Sequence, residues 1–171
     1  MPILEIIKYG NPILKKKAEE IKNLSKEIDE LARNMVQTMH AAPGIGLSAP
    51  QVSQSKRLIT IDLTVGEKKE EQIILINPEI ISEEGEQILE EGCLSIPDIN
   101  EKVVRPFRII VKGIDLDENE KTIEAEGILA RVISHEVDHL NGKLFIDRLS
   151  PLKQSLIKKK LKKWAQTGKI E

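Results

Sequence analysis

Two histidines and a glutamate in the segment SHEVDHLNG, residues 134–142, have the spacing of a metal site. His135 and His139 are four residues apart, so on a helix their imidazoles lie on one face and can bind one ion. Glu136, beside the first histidine, can take a proton from an attacking water, because a metal ion makes water acidic enough to supply hydroxide near neutral pH. This H-E-x-x-H frame of two histidines and a glutamate therefore predicts hydrolysis of a carbonyl compound, most naturally an amide.

The two common ways of completing this frame are missing from the sequence. Metzincins continue with a third histidine where this chain has Phe145. Thermolysin-like enzymes take a downstream glutamate, but only Asp147 and the last residue, Glu171, are acidic after His139. The third ligand is therefore expected upstream.

Upstream, His40 and Cys93 are the candidates for the third ligand. His40 directly precedes a helix breaker and is more typical of a surface or loop histidine. Cys93 follows Gly92 in a segment with the character of a turn, and we expect it to be the ligand. A Cys-His-His set leaves one coordination position open, as in catalytic sites. A thiolate suits both Fe(II) and Zn(II), and the residues do not choose between them.

Two segments offer donors that could stabilise an oxyanion. The stretch GIGLSAPQ, residues 44–51, combines a tight glycine turn with the side-chain amide of Gln51. Taken alone it is more typical of an ordinary loop. The backbone N–H of Leu94, the residue after Cys93, is the second possible donor.

Three helices are predicted to surround a set of strands. Residues 25–39 have helical spacing with Ser25 as N-cap, and residues 128–140 form a helix whose histidines continue an apolar stripe. A third helix, 150–165, begins at Ser150-Pro151, with an apolar side formed by Leu152, Leu156, Ile157, Leu161 and Trp164. Strand-like runs occupy 57–63, 72–80, 108–116 and 121–127. We expect an α+β fold with mixed or antiparallel sheets around a central metal-binding helix.

Composition indicates a single catalytic domain, residues 1–171. Hydrophobic residues make up 40% and charged residues 32% of the chain, which excludes disorder. No apolar run has membrane-spanning length, and the N-terminus does not have the pattern of a secretion signal. Cys93 is the single cysteine, so the chain has no internal disulfide partner for it. We therefore expect a cytoplasmic protein that does not enter membranes.

Charge is distributed unevenly along the chain. From Arg148 to the end there are eight basic residues and one acid, against 18 and 27 in the rest. Such a block is either a solvated helix face or a docking surface for an anionic partner.

Taken together, the motifs GIGLSAPQ, EGCLS and HEVDHLNG resemble those of the peptide deformylase family, in the same order. The likeness extends to YGNPIL near the start, INPEI in the middle and LFIDRLSP after the metal helix. The resemblance implies a hydrolase that removes the formyl group from N-formylmethionyl nascent chains. It also implies a physiological Fe(II) ion, with Zn, Ni or Co as alternatives, and a C-terminal helix that docks on the ribosome.

The resemblance assigns a role to each motif residue. Cys93, His135 and His139 would bind the metal, Glu136 would be the acid–base residue, and Gln51 and Leu94 would stabilise the oxyanion. The implied substrate-binding residues are Gly44, Ile45, Gly46, Leu89, Glu91, Gly92, Ile128 and Val132.

Three positions depart from the family pattern. Ser48 replaces an alanine and adds one hydroxyl, from which we expect little change. Ser134 replaces a glutamine beside the first metal histidine, where loss of an outer-shell group can cost ~10–100-fold in affinity or activity. Asn100 stands near where some members carry a substrate-binding arginine. Without the resemblance, a metallopeptidase and a non-catalytic metal-stabilised binding module would remain alternatives.

Overall fold

Three α-helices and seven strands form the part of the chain that the computed structural model describes, residues 3–167. The helices are α1 (Lys26–Ala41), α2 (Gly127–Leu140) and α3 (Pro151–Gln166). The strands are β1 (Gly46–Ser48), β2 (Leu58–Ile61), β3 (Ile73–Glu84), β4 (Gln87–Cys93), β5 (Ile96–Arg105), β6 (Arg108–Ile114) and β7 (Glu120–Glu126).

The strands form a five-stranded sheet, in the order β1-β2-β3-β6-β7, and a separate β4–β5 hairpin. All pairs of these named strands are antiparallel, so the α+β prediction is confirmed. Strands β1, β4 and β5 were not predicted. Cys93, expected in a turn, is instead the last residue of β4, and the turn follows it at Leu94-Ser95.

Helix α2 lies in the interior of the molecule. Every residue from Ala130 to Leu140 is buried. Its apolar side chains, such as Ile133 and Leu140, share a core cluster with Ile59, Leu75 and Val111 of the sheet. This burial stabilises α2 far more than its own helix propensity does, and it fixes the histidines that the helix carries.

Local signals at the helix ends are confirmed. The Ser25 side chain caps α1, and Ser150 caps α3 just before Pro151. Helix α2 ends at Leu140 with Asn141 as its C-cap, followed by Gly142 with φ +74°. A Cβ at Gly142 would lie 2.5 Å from the Lys15 carbonyl oxygen, so this turn requires glycine.

Helix α3 packs along a narrower stripe than its sequence predicts. Ile157 and Leu161 are buried in a cluster with Phe145 and Ile146. Leu152 and Leu156, predicted on the same apolar side, are 71% and 59% exposed. The prediction was wrong for these two leucines because α3 packs mainly against the short Phe145–Arg148 segment, which is too small to cover its first two turns.

Candidate metal centre and active site

The Cys93 thiol and the two α2 imidazoles converge on one point. Their ligand atoms all lie within 4.8 Å of one another. His139 Nε2 is 3.2 Å from His135 Nε2 and 3.4 Å from Cys93 Sγ. Ligands bound tetrahedrally at ~2.0–2.3 Å from a metal are roughly 3.3–3.6 Å apart, so this donor set fits one divalent ion. His40, the other candidate ligand, lies apart from the cluster at the end of α1.

The two buried histidines have opposite pKa shifts. Burial would lower the pKa of His135, but Glu136, Cys93 and Glu91 raise it well above its ordinary value, so a metal ion would displace a proton from this imidazole. Burial, reinforced by the charge of His135, holds the pKa of His139 well below its ordinary value, so this imidazole stays neutral. His135 Nδ1 is hydrogen-bonded to Glu91 Oε1. Such a contact leaves Nε2 free for a metal and fixes the orientation of the ring.

Glu91 is the centre of a buried ion-pair cluster. Its carboxylate accepts hydrogen bonds from Arg105, with Nη2 at 2.6 Å, and from Arg131 Nη1. Burial alone would raise the pKa of Glu91, but the bonds to His135 and Arg105 hold it well below its ordinary value. Glu91 was assigned by resemblance to substrate binding; its carboxylate is in fact fully engaged with protein groups.

Arg105 continues this cluster to the other side of α2. Its Nη1 donates to Ser134 Oγ at 3.0 Å and to Asp138 Oδ2 at 2.9 Å. Arg148 pairs with the same Asp138 carboxylate. The Ser134 side chain, which departs from the family pattern, is therefore linked to the His135 ring only indirectly, through Arg105 and Glu91. Neither Arg105 nor Arg131 was predicted, because their partners are 14 and 40 residues away in sequence.

Glu136 lies opposite the edge strand β1. A Cβ built at Gly46 would lie 2.5 Å from Glu136 Oε2 and 2.9 Å from Val132 Cγ1, so a larger residue here would displace the Glu136 carboxylate. The other oxygen, Oε1, is buried and has no hydrogen-bond partner among the described residues. Burial raises the pKa of Glu136 to about 7, although the charge of His135 opposes the shift.

The Gln51 amide is held in a fixed orientation. Its Oε1 accepts from the Ser48 backbone N–H at 3.0 Å and from the Ser48 hydroxyl at 3.1 Å. This leaves Nε2 directed at Ser95 Oγ, 3.2 Å away, and at Cys93 Sγ, 3.6 Å away. The Ser48 hydroxyl, expected to change little, thus adds a second bond that aims the amide at the metal centre.

These groups open onto a cavity of about 530 Å³. Leu94, in the turn after β4, borders it with its side chain close to Gly44. Its wall contains all the predicted catalytic and substrate-binding residues: Gly44, Ile45, Gly46, Gln51, Leu89, Glu91, Gly92, Leu94, Ile128, Val132 and Glu136. Cys93 and His135 also line it, as do three residues without a predicted role: Glu90, Asn100 and Arg131.

The model of the polypeptide deformylase family matches residues 3–155. The chain belongs to this family. A peptide deformylase of Thermodesulfovibrio yellowstonii is 51% identical over 162 residues, which are 95% of this chain and 98% of that protein. One from Acidobacterium capsulatum is 46% identical, over 98% of this chain and 99% of its own length. The crystal structure of a Legionella pneumophila peptide deformylase has a TM-score of 0.89 at 39% identity and 99% coverage of both chains.

Family membership confirms the predicted reaction. The protein is a metal-dependent hydrolase that removes the N-formyl group from nascent peptides. Among the alternatives left open by the motif alone, the deformylase function is the one that the relatives share. None of the described helices combines the length and hydropathy that a membrane span requires.

Proposed function

We propose that Cys93, His135 and His139 hold the metal of this deformylase. The observation that carries the proposal is the convergence of these three side chains, from β4 and α2, on one point, where Cys93 and His135 also line the cavity. Once bound, the metal would acidify water and polarise the formyl carbonyl. Fe(II) is the proposed physiological ion, and Zn, Ni or Co would also fit this donor set.

Glu136 is the proposed acid–base residue. Its carboxylate would accept a proton from the attacking water and deliver it to the amide nitrogen, which leaves as the amine. The formyl carbon keeps its hydrogen and departs as formate. Gln51 Nε2 and the Leu94 N–H would stabilise the negative charge that develops on the formyl oxygen.

The remaining wall of the cavity would bind the formylmethionyl peptide. Gly44, Ile45 and Gly46 lie at or next to β1, whose outer edge is free in the five-stranded sheet. A peptide backbone can pair with such an edge, and Gly92 would flank its other side together with the backbone of Glu91. Apolar contacts for the methionine side chain would come from Ile45, Leu89, Ile128 and Val132.

Formate release by anaerobically purified protein tests this function. We expect turnover of a formyl-Met tripeptide with Fe(II), Ni(II) or Co(II), and one metal ion per chain. A protein that releases no formate with any of these ions would contradict the proposal. A Cys93→Ala variant is the control and should lose bound metal.

The iron form should also be sensitive to air. Cys93 is the only cysteine of the chain, so its thiolate cannot be protected by an internal disulfide. Oxidation would then proceed to sulfinic or sulfonic acid and release the metal. Iron-loaded protein that stays active and unmodified by mass spectrometry after long aeration would argue against Fe(II) as the native ion.

We further propose that residues 1–171 act as one cytoplasmic catalytic domain whose helix α3 docks on the ribosome. Six exposed lysines and no acidic residue lie on α3, which suits an RNA surface. Deleting α3 would uncover the cluster around Phe145 and Leu161, so the better test replaces Lys158, Lys159 and Lys162 by glutamate. Ribosome co-sedimentation should fall with these changes and persist when the exposed Lys22, Lys68 and Lys112 are changed instead. Equal binding by both triple variants would contradict docking through α3.

A further inference from the structure

His40, which is not part of the metal cluster, stands at one end of a segment that forms a wall of the cavity. It is the next-to-last residue of α1, and residues 41–45 connect this helix to β1. Gly44 and Ile45 of the segment line the cavity. The His40 side chain is 24% exposed, and its Nε2 lies 2.8 Å from Asp62 Oδ2. The sequence favours a surface or loop position for His40 and indicates no role for Asp62.

Asp62 holds both ends of this segment. Its carboxylate contacts the His40 ring at one end, and its backbone N–H donates to the Ile45 carbonyl at the other, at 2.9 Å. Burial would raise the pKa of Asp62, but hydrogen bonds, chiefly from Thr64 and His40, lower it to about 2. The carboxyl group is therefore ionised near neutral pH and can only accept, so the His40 ring donates from Nε2.

The Asp62 carboxylate has a fixed position of its own. Oδ1 accepts from the Thr64 backbone N–H at 2.9 Å and from its hydroxyl at 2.6 Å, and Oδ2 accepts from the Gly66 N–H at 2.9 Å. The side chain is fully buried, and Asp62 directly follows β2 of the five-stranded sheet. Asp62 thus provides His40 with an acceptor that is anchored to the sheet.

Other backbone bonds of the segment lead back to α1. Ala42 donates to the Thr38 carbonyl at 3.1 Å, and Gly44 donates to the Met39 carbonyl at 2.7 Å. These bonds turn the chain at the end of the helix, but they do not fix the turn against the sheet. The two bonds of Asp62 make that connection, one at each end of residues 41–45.

We propose that the hydrogen bond between His40 and Asp62 positions the cavity wall at residues 44–46 for peptide binding. This inference rests on the proposed role of that wall in binding the peptide backbone. Neither His40 nor Asp62 is among the described residues that line the cavity, so both act through the segment between them. His40 is therefore a positioning residue.

Preorganisation is the physical reason for this effect. A wall that is already ordered loses little conformational entropy when a peptide binds to it, whereas a loosened wall must be ordered by the peptide. Loss of the bond should therefore weaken peptide binding. Glu136 and the proposed metal ligands lie on α2 and β4, so their positions do not depend on residues 41–45.

The test measures KM and kcat for a formyl-Met tripeptide with the metal-loaded protein. His40→Phe keeps an aromatic ring but has no N–H. We expect KM to rise by about 10-fold, the lower end of the effect of a hydrogen bond to a charged group. We expect kcat to change by less than about two-fold, because the lost interaction contributes to binding and not to the chemical step. His40→Gln, whose amide can donate to Asp62, should return KM close to the wild-type value.

This pattern separates positioning from a merely structural role. A change that only destabilises the fold lowers the amount of active protein, and hence the apparent kcat, but it leaves the KM of the folded fraction unchanged. Arg33→Met is the matched control, because it removes an exposed ion pair with Asp29 from the same helix. Its KM should equal that of the wild type.

Three results would overturn the inference while the deformylase function stands. They are an unchanged KM in His40→Phe, an increase in KM that His40→Gln does not reverse, and an equal increase in Arg33→Met. Wild-type protein that releases no formate would instead reject the proposed function, and the inference with it.

Discussion

Helices α2 and α3 both carry many charged side chains, but they place them in opposite environments. On α2, Arg131, Glu136 and Asp138 are buried. Arg131 forms an ion pair with a residue of β4, and Asp138 forms ion pairs with β5 and with the segment before α3. On α3, all six lysines are exposed. Buried charges must be paired or change their protonation, so they fix the positions of the side chains that they pair with. Exposed charges remain available to an outside partner.

The comparison separates two uses of charge in one small protein. The α2 cluster connects Glu91, on the strand that ends at Cys93, to His135, and it orients this proposed metal ligand. The α3 lysines contribute little to folding, since exposed ion pairs have little effect on stability. Changes on α2 should therefore affect chemistry or stability strongly, and changes on α3 should do so only where a side chain is buried.

The largest effect is expected for Glu136, which is buried on α2 and forms no ion pair with any other residue in the range 3–167. Glu136→Ala should retain the metal but lower kcat for a formyl-Met tripeptide by about 10²–10⁴-fold, because no group remains to transfer the proton. Kinetics and metal analysis on the same sample measure both quantities. Glu90→Ala, an exposed change at the cavity border, is the control. Loss of metal from the Glu136 variant would show that this residue is a ligand.

The next largest effect is expected when Arg105 is removed from the buried ion-pair cluster. Arg105→Met leaves the Glu91 and Asp138 carboxylates with fewer partners, and the free energy of unfolding should fall by about 3–5 kcal/mol. Urea unfolding of the metal-free protein measures it. The control is Arg108→Met, whose partners are exposed glutamates, with an expected loss of at most about 1 kcal/mol. Similar losses in both variants would remove the distinction between buried and exposed pairs.

Helix α3 provides a matched pair of leucines. Leu161 is fully buried and Leu156 is 59% exposed. Leu161→Ala should lower the free energy of unfolding by about 2–5 kcal/mol, whereas Leu156→Ala should change it by no more than about 0.5 kcal/mol. Thermal or urea unfolding of the two variants is sufficient. An equal, large loss would mean that Leu156 is covered in solution.

The smallest effect concerns a buried carboxylate outside the α2 cluster. Burial raises the pKa of Asp62, but bonds from Thr64, His40 and Gly66 outweigh it and lower the pKa from 3.8 to about 2. The stability from this shift is present above pH 3.8 and is lost as pH falls towards 2. Asp62→Asn should cost about 1–3 kcal/mol at neutral pH.

The difference in free energy of unfolding between the wild type and Asp62→Asn should become smaller below pH 4, as measured by urea unfolding of metal-free protein. The Asp62 oxygens accept from Thr64 Oγ1 at 2.6 Å and from Gly66 N at 2.9 Å, so those bonds to the ionised carboxyl are the source of the shift. The exposed Asp117→Asn change is the control and should show no such pH dependence. A gap that stays constant from pH 7 to pH 3 would contradict the assignment.

Several parts of the site could be predicted because their information is local. The four-residue spacing of His135 and His139 places both on one face of any helix, whatever surrounds it. The caps at Ser25 and Ser150 depend on side chains that bond backbone groups within the same turn. Cys93 followed from elimination of the other ligands, and its convergence with the histidines is consistent with that choice.

Other parts could not be predicted because they depend on distant partners. The β4–β5 hairpin has no simple alternation of polar and apolar residues: Leu89 and Glu91 line the cavity, while Ile88 is exposed. An acidic stretch of this kind is equally typical of a loop. Leu152 and Leu156 are exposed because little protein surface lies opposite α3. The size of that surface cannot be predicted from helical periodicity.

The sequence by itself thus determined the family of this protein and supplied the groups proposed for its chemistry: two imidazoles, one thiol and the carboxyl group that follows the first histidine. Only the tertiary structure decided what holds and tunes these groups, including the bond from Arg105 to Ser134 and the Ser48 hydroxyl on Gln51. The physical reason is the separation along the chain over which each interaction acts. Helical spacing acts within one turn of the chain, whereas a buried charge finds its partner through packing that brings residues 14 to 44 positions apart into contact.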